Sequence, residues 1–165
     1  MNELQKLILD TKRYRLIDIL TQPSWWVVLN FRIAAFLWRL NYFSFLYYIY
    51  FPIWRLISII TGVEIYGKTE IGGGLKVIHF GQIFINPKTV IGKNCLIYNN
   101  VSIGSSDYES GPCPVLRDNV KIGVGARILG AIEIGHGCRI GANSVVIDSF
   151  PDDSLIIGIP AKNGR

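Results

Sequence analysis

The chain has 165 residues, half of them hydrophobic, and a net charge of +5. That length suits one compact unit with a smaller attachment, and the basic residues form neither a dense face nor a recognition motif, which argues against nucleic acid as a partner. The three cysteines have no paired spacing and Met1-Asn2-Glu3 is a polar opening, so the expectation is reduced thiols in the cytosol, with no disulfide framework and no cleavable leader.

The basic excess sits early: residues 1–60 hold seven Lys/Arg and three Asp/Glu, whereas residues 61–165 hold ten and nine. Residues 3–20 read as helical, with Leu4, Leu7 and Ile8 on one side and Leu16, Ile17, Ile19 and Leu20 further on. Thr21-Gln22-Pro23-Ser24 is a break, and Ser24 is placed to cap a second helix. From Trp25 to Ile60 the chain is apolar and aromatic, including Tyr42 and Phe43, and is punctuated by Arg32, Arg39 and Arg55. Pro52 is expected to kink or end a helix there. The longest uncharged run, Leu40 to Trp54, is fifteen residues, short of the roughly 20 that a spanning helix needs. Mixed Arg, Trp and Tyr suit the headgroup boundary instead. Residues 24–60 are therefore expected to lie against the inner membrane surface; the plainer alternative is a helical cap on the unit that follows.

From Val63 to Val146 aliphatic residues recur every six positions: Ile65, Ile71, Val77 and Ile83, then Ile91, Ile97 and Ile103, then Leu116, Ile122, Ile128, Ile134, Ile140 and Val146. Six is the period of the hexapeptide β-helix, in which each hexad is a short strand plus a corner and three hexads close a triangular coil. A small or β-branched residue recurs four positions on, at Cys95, Val101, Val120, Ala126, Ile132, Cys138 and Ser144, and suits a second inward site. Asn94, Asn100, Asn119 and Asn143 fall at corners that need positive φ. The fold class expected is mainly β: a left-handed parallel β-helix over residues 62–165, with a helical, membrane-facing segment over residues 1–61.

Two irregularities interrupt the ladder. Ile83 to Ile91 is eight residues, which places a corner two residues longer than the rest. Ile103 to Leu116 is thirteen, and the excess falls in the polar segment 105–114, which reads as an exposed loop. After the coils, a tail through Ile157-Gly158-Ile159-Pro160-Ala161-Lys162 is expected to leave the prism and pack alongside it.

Two histidines are available for chemistry. His136, in Ile134-Gly135-His136-Gly137, reads as an exposed corner residue, and His79 follows an inward aliphatic by two residues. Two histidines cannot supply the three ligands of a zinc hydratase built on the same prism. No metal is expected. Cys95 and Cys138 read as packing.

Val63-Glu64-Ile65, Ile71-Gly72-Gly73-Gly74, Val77-Ile78-His79, the irregular step to Ile91, Cys113-Pro114-Val115-Leu116 and Ile157-Gly158-Ile159-Pro160-Ala161-Lys162 resemble the serine acetyltransferase family and its sugar and capsule O-acetyltransferase relatives, over about residues 60–165. The resemblance implies acetyl-CoA as co-substrate, His79 as general base and Glu64, fifteen residues earlier, as the acid that orients it. It implies a homotrimer with sites between subunits and pantetheine against Gly123, Ala126, Ala142 and Ser144, with Lys162 and Arg165 near the CoA phosphates. Cys113, Ile78 and Asn99 are the expected acceptor-side residues. Three positions depart from the serine branch, which carries His, Arg and an acid where this chain has Cys113, Pro112 and Ile78. With both charge partners of a zwitterion missing, and with an aromatic, basic leader, the expected acceptor is a sugar hydroxyl of a polysaccharide, capsule or lipid-linked precursor. Serine O-acetylation for cysteine biosynthesis is the alternative, and a non-enzymatic solenoid the remaining one.

Overall fold

The computed structural model describes residues 1–40, 45–107 and 111–164. Tyr42 and Phe43 of the aromatic segment, Tyr108, Glu109 and Ser110 of the loop, and Arg165 lie outside the described residues.

Residues 3–20 form two helices rather than one. In α1 (Glu3–Thr11), Asn2 Oδ1 accepts from the Gln5 N–H at 2.8 Å and Gln5 Oε1 accepts from the Asn2 N–H at 3.1 Å, a reciprocal cap that fixes the start. A turn separates it from α2 (Leu16–Thr21). In α3 (Pro23–Trp38) the N-cap is Gln22, and Pro23 takes the first turn, where a missing N–H costs nothing. Ser24 lies inside that helix, buried, and is not its cap. Pro52 does not end α4 (Phe45–Thr61): it is exposed, so water can serve the carbonyl that its ring deprives of a donor. Among the described residues no helix is long and apolar enough to cross a membrane.

The rest of the chain is a parallel β-helix of three sheets. One stacks β1 (Val63–Ile65), β4 (Ile83–Ile85), β7 (Ser102–Gly104), β10 (Arg127–Leu129) and β13 (Val145–Val146). The second stacks β2 (Glu70–Ile71), β5 (Val90–Ile91), β8 (Val115–Leu116) and β11 (Glu133–Ile134). The third stacks β3 (Lys76–Ile78), β6 (Leu96–Tyr98), β9 (Lys121–Ile122), β12 (Arg139–Ile140) and β14 (Leu155–Gly158), with β15 (Ala161–Asn163) antiparallel at its edge. Pairing carries the six-residue ladder from coil to coil: Ile71, Ile91, Leu116 and Ile134 stand in one buried column. The small inward positions, Cys95 and Cys138 among them, are buried as expected. All four corner asparagines have φ between 55° and 63°.

The ladder needs one correction. β4 pairs Ile85, not Ile83, with Ile65 and Ile103, while Ile83 pairs with Val63 at the small inward position. The two extra residues therefore lie before β4, in the corner that carries His79, rather than between Ile83 and Ile91. The tail also differs from expectation. Ile156 pairs with Ile140 and so extends the ladder, and only β15 folds back, antiparallel, onto β14.

The helices close the open end of the first coil. A terminal coil presents unpaired backbone groups, which must be capped or left to water. Arg32 is buried between α1 and that coil: Nε donates to Asp10 Oδ2 at 2.7 Å, Nη1 to Glu3 Oε2 at 3.2 Å and to Ile71 O at 3.0 Å, and Nη2 to Gly72 O at 2.6 Å. Asp10 Oδ1 accepts in turn from the Leu75 N–H at 2.7 Å. Arg39 donates to Gly67 O and Thr69 O, and Trp54 Nε1 to Ile65 O.

Tyr14 completes the closure, its hydroxyl accepting from the Val77 N–H at 2.9 Å and donating to Val77 O at 3.3 Å. Burial pushes its pKa from 10.0 up to about 12. A pKa raised on folding means the neutral phenol stabilises the native state below the unfolded value, and that contribution is lost as pH rises through the folded one. Denaturant midpoints should fall between pH 10 and 12, and Tyr14→Phe should flatten that part of the profile. An unchanged slope in the variant would show that Tyr14 is not the titrating group.

Candidate active site

The corner between β3 and β4 is two residues longer than the regular ones, and it sets His79 outward. Three residues there have positive φ: His79 at 59°, Gly81 at 111° and Gln82 at 52°. A side chain at Gly81 would meet no atom within 4 Å, so glycine is required by the backbone and not by space. His79 is exposed, and among the described residues its side chain has no hydrogen bond.

Next to this corner a groove of about 490 Å³ runs along the first sheet. Glu64, Gln82, Phe84, Asn100, Ser102 and Arg127 line it; His79 does not, although Gln82 comes from the same corner. Pairing puts Glu64 beside Phe84, then Ser102, then Arg127, so one acid and one guanidinium stand on the same sheet three coils apart. Arg127 is anchored: Nη2 donates to Asn100 Oδ1 at 3.0 Å and Nη1 to Gly125 O at 3.1 Å. Glu64 accepts from Arg55 of α4, a partner from outside the coils. The expected Glu64–His79 hydrogen bond is not formed here.

The other expected positions separate. Ile78 is half-buried on β3, and Asn99 sits one coil above the His79 corner, its carbonyl accepting from the Gly125 N–H at 3.2 Å. Cys113 is half-buried after the loop, and burial pushes its thiol above the usual range, which disfavours the thiolate a nucleophile needs. Gly123 is half-buried and Ala142 exposed, whereas Ala126 and Ser144 point into the core, where only their backbone can reach a ligand. Lys162 is exposed, with Asp148 Oδ2 at 3.8 Å. His136 is exposed at its corner: Nδ1 accepts from the Asp118 N–H at 3.3 Å and its own N–H donates to Asp152 Oδ1 at 2.7 Å. Among the described residues no three potential ligands gather as a metal site. Sequence reasoning missed Arg127 and Arg55; neither belongs to a motif, and only strand pairing and helix packing bring them to the groove.

Residues 113–148 match the family described as bacterial transferase hexapeptide (six repeats). The serine acetyltransferase of Helicobacter pylori strain J99 is 35% identical over 145 residues, covering 87% of this chain and 82% of that protein. The chain belongs to the serine acetyltransferase family. The enzyme of Synechococcus elongatus is 39% identical over 109 residues, covering 66% of this chain and 45% of its own. Solved structures agree. A serine acetyltransferase in complex with cysteine superposes with a TM-score of 0.85 at 29% identity, covering 99% of this chain and 70% of that one. A serine acetyltransferase in complex with CoA gives 0.80 at 29% identity, covering 98% and 69%. The chain spans about half the length of the first curated relatives it matches, 45%, 50% and 49%. These findings overturn the expected polysaccharide branch and saccharide acceptor: the relatives and structures compared above are serine acetyltransferases. The differences at Ile78, Pro112 and Cys113 are departures within the serine acetyltransferase family.

Proposed function

We propose that this chain is an acetyl-CoA-dependent O-acetyltransferase with serine as acceptor, acting in cysteine biosynthesis. Family membership over 82% of the Helicobacter pylori enzyme is the observation that carries the reading. Residues 62–165 hold the chemistry and residues 1–61 serve the first coil. His79 removes the proton from the serine hydroxyl. The freed oxygen attacks the thioester carbonyl of acetyl-CoA, and collapse of the tetrahedral adduct expels the CoA thiolate. That thiolate takes the proton back from the imidazolium, leaving O-acetylserine and CoA. An exposed imidazole on a rigid corner, free of other hydrogen bonds among the described residues, suits that exchange. Orientation of His79 by Glu64 requires Arg55 to release the carboxylate.

The groove supports the acceptor. Arg127 supplies a guanidinium for the serine carboxylate, three coils along the sheet from Glu64. A homotrimer in the cytoplasm, with CoA against the backbone of the later coils near Gly123 and Ala142, completes the reading. The test is release of CoA from acetyl-CoA on adding L-serine to the purified chain. Serine-dependent, saturable release is expected; release no faster than thioester hydrolysis at any serine concentration would overturn the acceptor.

A further inference from the structure

We propose that the outer face of the four helices docks, lying flat, on an anionic lipid surface. The inference stands apart from the acyltransfer chemistry, because it rests on how charge and apolar area are sorted over residues 1–61. Of the 26 large hydrophobic residues that are exposed among the described residues, 19 belong to the helices or to Met1 before them. On α4 they follow helical spacing on the side away from the coils: Tyr48 65%, Ile49 65%, Ile53 54%, Leu56 58% and Ile60 71% exposed, while Tyr47, Trp54 and Ser58 are buried on the other side. The face continues across the helices. Leu4 and Leu7 of α1 share an apolar groove of about 240 Å³ with Ile33 and Phe36 of α3. Trp38 at the end of α3 meets Tyr47 of α4 edge to face at 5.2 Å, beside Tyr48.

Charge decides what covers this face. All three acids of residues 1–61, Glu3, Asp10 and Asp18, are at most 7% exposed. Glu3 and Asp10 are held by Arg32, and Asp18 by Arg15. The segment carries seven basic residues against those three, so its outward charge is cationic even with Arg15 paired to Asp18 and Arg55 to Glu64; Lys12, Arg15, Arg39 and Arg55 are all exposed. A second copy offering the same helical face would set cation against cation with no exposed acid to answer it. Anionic headgroups answer it while the acyl boundary takes the aliphatic face and Trp26, Trp38 and Tyr48 sit at the junction. The helices lie on the bilayer rather than cross it, since none among the described residues is long and apolar enough.

The full chain is mixed with phosphatidylcholine vesicles containing about a third phosphatidylglycerol, and bound protein is read by flotation. Binding to these vesicles is expected, weaker by roughly tenfold with pure phosphatidylcholine or in high salt. Ile49→Glu/Ile53→Glu, both exposed and outside the groove, should abolish flotation while leaving serine-dependent CoA release unchanged. Failure of all vesicle binding by a folded, active protein would overturn the proposal and leave the acyltransferase reading intact. So would sedimentation showing that the double variant splits an assembly of wild-type chains, which would assign the face to a second copy. Equal binding to neutral and anionic vesicles would overturn the charge argument.

Discussion

Exchanging His79 for Asn is expected to cut kcat with serine by about 10²- to 10⁴-fold, the usual worth of a positioned general base. That is about 3–5 kcal/mol of transition-state stabilisation. Asn is a better probe than Ala because His79 has φ 59°, a left-handed conformation that Asn tolerates and Ala does not. The ring is exposed and has no hydrogen bond among the described residues, so removing it leaves no buried group unsatisfied. Melting temperature and affinity for CoA should therefore stay near wild type while turnover collapses. A variant within twofold of wild-type kcat would remove His79 from the mechanism.

Replacing Arg32 by Met is expected to destabilise the fold by about 3–5 kcal/mol, the cost of breaking a buried ion pair from one side. The guanidinium is 2% exposed and Asp10 is fully buried, so the carboxylate would keep the Leu75 N–H but lose its counter-charge, and Ile71 and Gly72 would lose a donor. In a chain of this size that corresponds to a fall in melting temperature of roughly 6–20 °C. Arg117→Met is the control: its pair with Glu133 is half exposed on both sides and should contribute at most about 1 kcal/mol. Adding Asp10→Asn to Arg32→Met should recover part of the loss, because the stranded charge goes with it. Equal, small effects at Arg32 and Arg117 would mean that water already reaches the Arg32 pocket.

The coils were legible because one aliphatic every six residues has no other explanation as regular as a stacked ladder. Where that signal doubled, it misled. Ile83 and Ile85 are both aliphatic and both buried, two residues apart, so spacing alone cannot say which stands on the ladder; only the pairing of Ile85 with Ile103 does. The tail misled for a related reason: Ile156 follows Val146 by ten residues, outside the period, yet returns to the same sheet as Ile140. The closure of the first coil was illegible. Arg32 and Asp10 are 22 residues apart, and neither announces that it will be buried. At the candidate site, His79 was singled out by its motif, whereas the contacts around the groove depended on what no motif encodes: Arg55 on Glu64 and Arg127 over Asn100. The sugar acceptor was expected from absent side chains at 78, 112 and 113, and the serine acetyltransferase relatives overturn it.

The two surplus residues of the His79 corner lie between strands that keep their neighbours, since β3 still meets β6 and β4 still meets β7. Whatever conformational tension the left-handed residues hold is thereby walled off from the stacked interior. Such a bracket can be resculpted for reactivity without drawing on the reserve that keeps the prism folded, and so it escapes the common exchange of robustness for catalytic power.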